Sequence, residues 1–194
     1  AIHQFTKKII ESKKNSYPFI PKDNLISFII GGNNRHYEFT KESILDLTNK
    51  IKNLKKKYSK YYFLIISSRR TNLDMIKFMK EKLDKIAYVW NGIDKNPYSF
   101  ALNNSKFFVV TSDSTSMISE CAFTGKPVFV FHLPFKRISK RIESFHHEFE
   151  NLKITKKFSN EIDLNPWQYE SLDEAKRISG IIKERIIKGF NESK

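Results

Sequence analysis

The stretch KFFVVTSDSTSMISECAFTGKPVFVF, residues 106–131, decides the fold class. Its two apolar runs, KFFVV and PVFVF, are typical of strands that are buried on both faces. The segment between them opens with TSDS, which can cap a helix, and the predicted helix ends at Thr124 with Gly125 at its C-terminal cap. Because two strands joined through a helix lie parallel in one sheet, the stretch predicts a strand–helix–strand unit.

The same alternation extends toward the N-terminus. Three further apolar runs predict strands at LISFII (25–30), YYFLIIS (61–67) and IAYVW (86–90). Thr40 can cap a helix whose apolar positions recur three to four residues apart, at Ile44, Leu47, Ile51 and Leu54. A second helix carries the corresponding stripe Leu73, Ile76, Met79 and Leu83, and Pro97 stands where a short helix can begin.

Toward the C-terminus the pattern predicts a helix around 137–151, a short strand near 153–158 and a final helix over 171–190. Ser171 and Glu174 form a capping box for the final helix, whose apolar stripe is Ala175, Ile178, Ile182 and Ile186. The first 24 residues, with Pro18 and Pro21, predict a helix and a connector. We therefore expect one α/β domain over residues 1–194, a doubly wound parallel sheet with its core at 25–158.

The composition excludes several classes of protein. A 40% share of apolar residues can fill a core, no apolar run approaches the roughly 18 residues of a membrane span, and the single cysteine excludes a disulfide framework.

The net charge of +14 comes from 28 Lys and seven Arg, accompanied by 24 Ile and 15 Asn, so an AT-rich genome explains it better than a specific nucleic-acid partner. We expect a cytoplasmic protein. Because the chain opens on Ala1 without a signal-peptide pattern, we also expect an excised or processed piece.

Polar segments follow four of the predicted strands. They are GGNNRH (31–36), SSRRT (67–71), WNGIDKNPY (90–98) and TSDSTSM (111–117). In an open α/β sheet, ligands bind outside the carboxyl ends of the strands, where the strand order reverses. The sequence therefore predicts a ligand site at this edge of the sheet.

Two of these segments support both a binding and a structural interpretation. Gly31 and Gly32 either let a ligand approach the backbone closely or form a tight turn. Arg69 and Arg70 either bind a phosphate through two guanidinium nitrogens or form surface ion pairs. Because adjacent side chains diverge, we expect one of the two to contact a ligand.

The last segment, which begins a helix, has the same two interpretations. Ser114 caps the helix, and a helix N-terminus also favours an anion such as a pyrophosphate. Glu120 lies about one and a half turns further on, where its carboxylate either accepts hydrogen bonds from a ribose diol or is an exposed charge. Cys121 is predicted to be a small buried residue. His146 and His147 are adjacent, so their rings diverge and no metal site is expected.

Several of these strings together resemble one family. VWNGIDKNPYSFALNNSKFFVVTSDSTSMISECAFTGKPVFVF (89–131), IIGGNNRHYEFT (29–40), SSRRT (67–71) and RIESFHHEFENLKITKKF (141–158) resemble, in the same order, the mitochondrial fission ELM family of plants and proteobacteria. The resemblance spans residues 1 to 158, and the AT-rich composition favours a bacterial member. That family is similar to GT-B glycosyltransferases, which pair two Rossmann-like domains across a cleft.

The resemblance implies a donor-side, C-terminal GT-B domain whose N-terminal partner domain is absent. Glu120, Gly125 and Pro127 match the helix Glu and Gly-x-Pro of the lipid-linked GlcNAc transferase of peptidoglycan synthesis, in which the Glu binds the ribose of a UDP-sugar. Asp113 departs from the pattern, because a carboxylate beside a diphosphate would repel it. Asp113 would instead cap the helix or meet a sugar hydroxyl or a metal.

The resemblance thus implies a nucleotide-sugar-binding half of a glycosyltransferase-like protein, inactive as this chain alone and without an assigned catalytic residue or metal. The alternative is a non-catalytic GT-B-derived interaction module. We expect a UDP-sugar or another nucleoside-diphosphate sugar as donor substrate, no resident cofactor, the absent N-terminal domain as a partner, and peripheral contact with a membrane surface. The expected binding residues are Gly31, Gly32, Asn33, Ser68, Arg69, Arg70, Trp90, Asn96, Thr111, Asp113, Ser114, Ser116, Met117 and Glu120.

Overall fold

The computed structural model describes residues 6–169, so the predicted final helix over 171–190 lies outside the described residues. The helices are α1 Lys7–Glu11, α2 Lys41–Lys57, α3 Leu73–Leu83, α4 Tyr98–Asn104, α5 Thr115–Phe123 and α6 Lys140–Asn151. The strands are β1 Leu25–Ile30, β2 Tyr62–Ser67, β3 Tyr88–Val89, β4 Ser105–Thr111, β5 Val128–Phe131 and β6 Thr155–Lys157.

These strands form one parallel sheet in the order β3-β2-β1-β4-β5-β6. β1 pairs with β2 on one side, from Leu25↔Tyr62 to Ile30↔Ser67, and with β4 on the other. The chain returns to the centre of the sheet after β3, so the strand order reverses between β1 and β4. An open sheet of this order places its ligand crevice outside the carboxyl ends of those two strands.

Alternate residues of the strands face two separate cores. On β1, Ile26 and Phe28 face a core that includes the buried stripes of α2 and α3. Leu25 and Ile29 face the opposite core, which includes the buried residues of α4 and α5. Helices therefore cover both faces of the sheet, which is why its strands are continuous apolar runs. The predicted doubly wound α/β fold is confirmed.

Two of the polar residues predicted to begin helices, Thr40 and Ser114, do so. Thr40 caps α2, its hydroxyl accepting a hydrogen bond from the Ser43 amide at 3.1 Å. Ser114 caps α5, accepting from the Met117 amide at 3.4 Å. Gly125 follows the end of α5 at a φ of 73°, the left-handed conformation that glycine adopts most readily.

Three local details differ from the prediction, each for a visible reason. The strand predicted at 86–90 is reduced to Tyr88–Val89, because the amides of Ile86 and Ala87 bond back to the Leu83 carbonyl and close the end of α3. The helix predicted from 137 begins at Lys140, since the Arg137 amide bonds to a carbonyl of another loop. Leu73 is 68% exposed because it is the first residue of α3.

Candidate functional site at the carboxyl ends of β1 and β4

The turn after β1 is bonded directly to the end of β4. The Gly31 amide donates to the Thr111 hydroxyl at 2.8 Å, and the Gly32 amide donates to Asp113 Oδ2 at 3.1 Å. These two bonds cross the point where the strand order reverses. The glycine amides are therefore already hydrogen-bonded within the protein.

The carboxylate of Asp113 is the centre of this polar network. Besides the Gly32 amide, it accepts hydrogen bonds from the Thr111 hydroxyl at 2.6 Å and from Arg70 Nη2 at 2.8 Å. The Asp113 side chain is fully buried, whereas that of Arg70 is 39% exposed. Burial raises the pKa of Asp113, while the hydrogen bonds from Thr111 and Gly32 and the charge of Arg70 act in the opposite direction. One carboxylate thus joins the loops that follow β1, β2 and β4.

The glycine pair makes this close approach of the loops possible. A Cβ built on Gly31 would lie closer than 3.0 Å to the Asp113 carboxylate, and one built on Gly32 would lie equally close to the Arg70 carbonyl oxygen. Real Cβ atoms essentially never show such separations. The two positions therefore require glycine for contacts inside the protein, which is the structural interpretation of the Gly-Gly turn.

Asparagines fix the rest of the loop after β1. The Asn33 side-chain oxygen accepts from the Phe39 amide at 2.6 Å, and that of Asn34 accepts from the amides of His36 and Tyr37. Asn34 also donates through its side-chain amide to the Asp113 carbonyl at 2.9 Å. Asn34 was not predicted as a site residue, although an Asn two residues after a glycine pair is a recognisable turn signal.

The loop after β2 is anchored by Thr71, which was not predicted as a site residue. Its hydroxyl donates to a backbone carbonyl at the end of β1 and accepts from the Ser68 amide at 2.9 Å. This anchoring separates the two arginines. Arg70 pairs with Asp113, whereas the exposed Arg69 side chain makes no ion pair or hydrogen bond with any residue in the described part of the chain.

A second polar group surrounds Glu120, on α5. Its carboxylate accepts from the Tyr98 hydroxyl at 2.5 Å and from the Ser116 hydroxyl at 3.2 Å. The Asn96 side-chain oxygen in turn accepts a hydrogen bond at 2.9 Å from the amide of Tyr98, the first residue of α4. The pKa of Tyr98 is raised well above its ordinary value, mainly by burial and to a smaller extent by the neighbouring Cys121 and Glu120. Tyr98 is therefore the donor that orients Glu120, which is partly exposed.

The predicted site residues thus fall into two groups and several outliers. Gly31, Gly32, Arg70, Thr111 and Asp113 meet in one network, and Asn96, Ser116 and Glu120 belong to the other. Trp90 is buried, and its indole donates to the Asp94 carbonyl at 3.1 Å. Asn33, Ser68, Ser114 and Met117 contribute to turns and to the start of α5.

The histidines near this edge have partners that the sequence did not indicate. His146 Nε2 lies 3.1 Å from both the Ser112 carbonyl oxygen and the Tyr37 hydroxyl oxygen. Burial, together with the neighbouring His132, lowers the pKa of His146 to about 4. His132 pairs with Glu150 at 3.4 Å. Among residues 6–169, no group of three or more His, Cys, Asp or Glu side chains could hold a metal ion.

Comparison with known sequences identifies one family and two relatives. The family described as Mitochondrial fission ELM1 matches residues 1–186. Uncharacterized protein RP120 of Rickettsia prowazekii (strain Madrid E) is 31% identical over 191 residues, 93% of this chain and 51% of that protein. Mitochondrial fission protein ELM1 of Arabidopsis thaliana is 35% identical over 109 residues, 54% of this chain and 24% of that protein. The chain therefore spans about half of the first relative and a quarter of the second.

Comparison with solved structures supports the fold. The UDP-GlcNAc 2-epimerase from Neisseria meningitidis, solved bound to UDP-GlcNAc, superposes with a TM-score of 0.50 at 20% sequence identity. The match covers 80% of this chain and 37% of the epimerase chain. At this level of identity the similarity establishes only the fold of the domain, which is GT-B-like and of the Rossmann type.

Proposed function

We propose that this chain, which belongs to the mitochondrial fission ELM1 family, is the nucleotide-sugar-binding half of a GT-B glycosyltransferase-like protein. The observation that carries the proposal is the position of Glu120. Its carboxylate lies on α5, the helix whose N-terminus follows the reversal of strand order, and Tyr98 and Ser116 hold it partly exposed. A carboxylate fixed about one and a half turns from a helix N-terminus can accept hydrogen bonds from the two hydroxyls of a ribose.

The diphosphate is proposed to lie at the N-terminus of α5. The first amides of a helix have no partner within it, and the helix dipole favours an anion there. Arg69, exposed after β2 and without an ion pair among the described residues, supplies a charge that can reach a phosphate. Asp113 does not oppose this arrangement, because its carboxylate is buried and paired with Arg70. A protein of the same fold, the Neisseria epimerase, holds the proposed class of ligand, a UDP-sugar.

Calorimetry with UDP and UDP-GlcNAc tests the proposal. We expect binding, and we expect Glu120→Gln to weaken it by about five- to 150-fold, the loss of hydrogen bonds worth about 1–3 kcal/mol. Glu148→Gln, which removes an equal charge from an exposed position on α6, is the matched control and should leave affinity unchanged. Generic attraction to the +14 chain predicts instead that both variants bind slightly tighter. Absence of heat up to millimolar UDP, or an unweakened Glu120→Gln, would contradict the proposal.

A second function is favoured by one specific observation. The amides of Gly31 and Gly32 donate to Thr111 and Asp113, so neither of these two amides is free to bind a ligand. That arrangement favours a non-catalytic interaction module that is derived from the GT-B fold. In either case we expect the 194-residue chain alone to transfer no sugar, since the resemblance places the acceptor site in the other half. Transfer of the sugar from a UDP-sugar onto an acceptor, with release of UDP, would overturn that expectation.

A further inference from the structure

Two loops at the carboxyl edge of the sheet are bonded to each other. Tyr37 and Phe135 form an antiparallel bridge, and their rings stack with centroids 4.6 Å apart. The Lys136 amide donates to the His36 carbonyl at 2.8 Å, and the Glu38 amide donates to the Pro134 carbonyl at 3.2 Å. We call residues 35–38 and 134–141 the basic tip. Its backbone is fixed by these bonds, so its side chains are presented in a defined arrangement.

The basic tip exposes apolar side chains among cations. Ile138 is 69% exposed and Phe135 is 38% exposed. The exposed cations around them are Arg35, Lys136, Arg137, Lys140 and Arg141. Within residues 6–169, none of these five forms an ion pair with a carboxylate. The neighbouring acidic residues, Glu38 and Glu143, leave the tip with a clear positive excess.

This combination matches the chemistry of an anionic lipid surface. Clusters of Lys and Arg are attracted to anionic headgroups, and exposed apolar side chains enter the boundary between headgroups and acyl chains. Within the described part of the chain, the helices are too short or too polar to cross a bilayer. We propose that the basic tip docks the protein peripherally on an anionic membrane, with Ile138 and the edge of Phe135 inserted at the surface.

The proposal stands on different residues from the nucleotide-sugar site, so either can fail alone. The two are nevertheless related in space, because the tip follows β1 and β5 at the edge where the candidate site lies. Docking through the tip would hold that site close to the bilayer surface.

Vesicle sedimentation with charge variants tests the electrostatic part. We expect the 194-residue chain to bind vesicles of phosphatidylcholine with one quarter phosphatidylserine, and to bind pure phosphatidylcholine weakly. Arg137→Gln with Lys140→Gln should lower the partition coefficient on the order of 25-fold, about fivefold for each cation. Lys56→Gln with Lys60→Gln removes the same charge from exposed positions at the far end of α2 and just beyond it, and should have a much smaller effect. Equal losses in the two double variants would show that binding depends only on net charge and would overturn the proposal. Absence of binding to the anionic vesicles would overturn it as well.

A fluorescent label tests insertion without changing charge. The chain has a single cysteine, Cys121, which is fully buried, so Ile138→Cys and Leu152→Cys can each be labelled with an environment-sensitive dye. Leu152 is the control because it is 55% exposed at the opposite end of α6. The dye at position 138 should brighten on anionic vesicles while the dye at 152 stays unchanged. Equal responses at the two positions would overturn insertion through the tip.

Discussion

The carboxylate of Asp113 fills the space that a side chain at position 31 would need. A Cβ on Gly31 would lie closer than 3.0 Å to the carboxyl carbon and to both carboxyl oxygens of Asp113. The two residues are about 80 positions apart in sequence, and they come together because β1 and β4 are neighbours in the sheet. A glycine after one strand and a buried acid after another are thus one structural unit.

Replacing Asp113 should destabilise the fold even when the shape is kept. Asp113→Asn substitutes an NH₂ group for one of the two oxygens that accept hydrogen bonds from Thr111, Gly32 and Arg70. The new NH₂ donor would then face at least one of these hydrogen-bond donors. We expect the free energy of unfolding to fall by about 1–3 kcal/mol in urea denaturation. Asp23→Asn, an exposed position with the same change of charge, is the control. Equal stability of the two variants would show that the network contributes little.

The contact between Gly31 and Asp113 predicts a non-additive pair of substitutions. Gly31→Ala should be strongly destabilising in the natural sequence but markedly less so when combined with Asp113→Ala, because the obstructing carboxylate is gone. Gly32→Ala should show no such relief, since its obstruction is the Arg70 backbone carbonyl. Denaturant titrations of the two double-mutant cycles measure the difference, and equal coupling in both cycles would contradict it.

The two adjacent arginines should separate binding from stability. Arg69→Gln should weaken UDP binding several-fold and leave the unfolding midpoint unchanged, because its side chain is exposed and unpaired among the described residues. Arg70→Gln should lower the free energy of unfolding by about 1–2 kcal/mol, since it removes the counter-charge of a buried carboxylate. Calorimetry and thermal unfolding of both variants test this. A reversed pattern would exclude Arg69 from the phosphate site.

His146 should make the fold sensitive to mild acid. Its pKa is about 4 in the folded protein because of burial and the neighbouring His132, and near 6.5 when unfolded. A lowered pKa means that protons bind preferentially to the unfolded chain. Its stabilising contribution is therefore complete above pH 6.5 and is lost as the pH falls toward 4, by on the order of 2–3 kcal/mol.

The variant His146→Gln isolates this effect. It should flatten the decline in stability between pH 6.5 and 4, measured by urea denaturation at a series of pH values. The exposed neighbour His147→Gln should keep the natural profile. The ionisable groups in contact with His146 are Tyr37 and His132, and His132 in turn pairs with Glu150; both variants retain all three. Identical profiles for the two variants would exclude His146 as the source.

The fold was predictable because its signals are local. Continuous apolar runs, such as Leu25–Ile30, indicate strands buried on both faces, and Thr40 and Ser114 begin helices through contacts three residues away. The strand at 86–90 was overestimated because its first amides are used by α3, a competition that apolar residues in sequence do not reveal.

The candidate site was only partly predictable, because its contacts are distant in sequence. Three of the four polar segments, those after β1, β2 and β4, do meet at the carboxyl edge of the sheet. The role of Asp113 as acceptor for Gly32 and Arg70 depends on three loops meeting, which no local pattern specifies. The contact between Tyr98 and Glu120 likewise joins two helices and has no signal in either segment.

The bonds between the β1 and β4 regions also bear on the order of folding events. They join residues 78 to 81 positions apart, from Ser27 and Ser105 at one end to Gly32 and Asp113 at the other. Closing so long a loop costs more entropy than pairing neighbouring strands through one helix, so we expect the strand–helix–strand units to form first and the β1–β4 junction last. Interactions formed after the rate-limiting step leave the folding rate unchanged and set the unfolding rate. The buried carboxylate between the two strands would then determine how long the native molecule persists rather than how quickly it is reached.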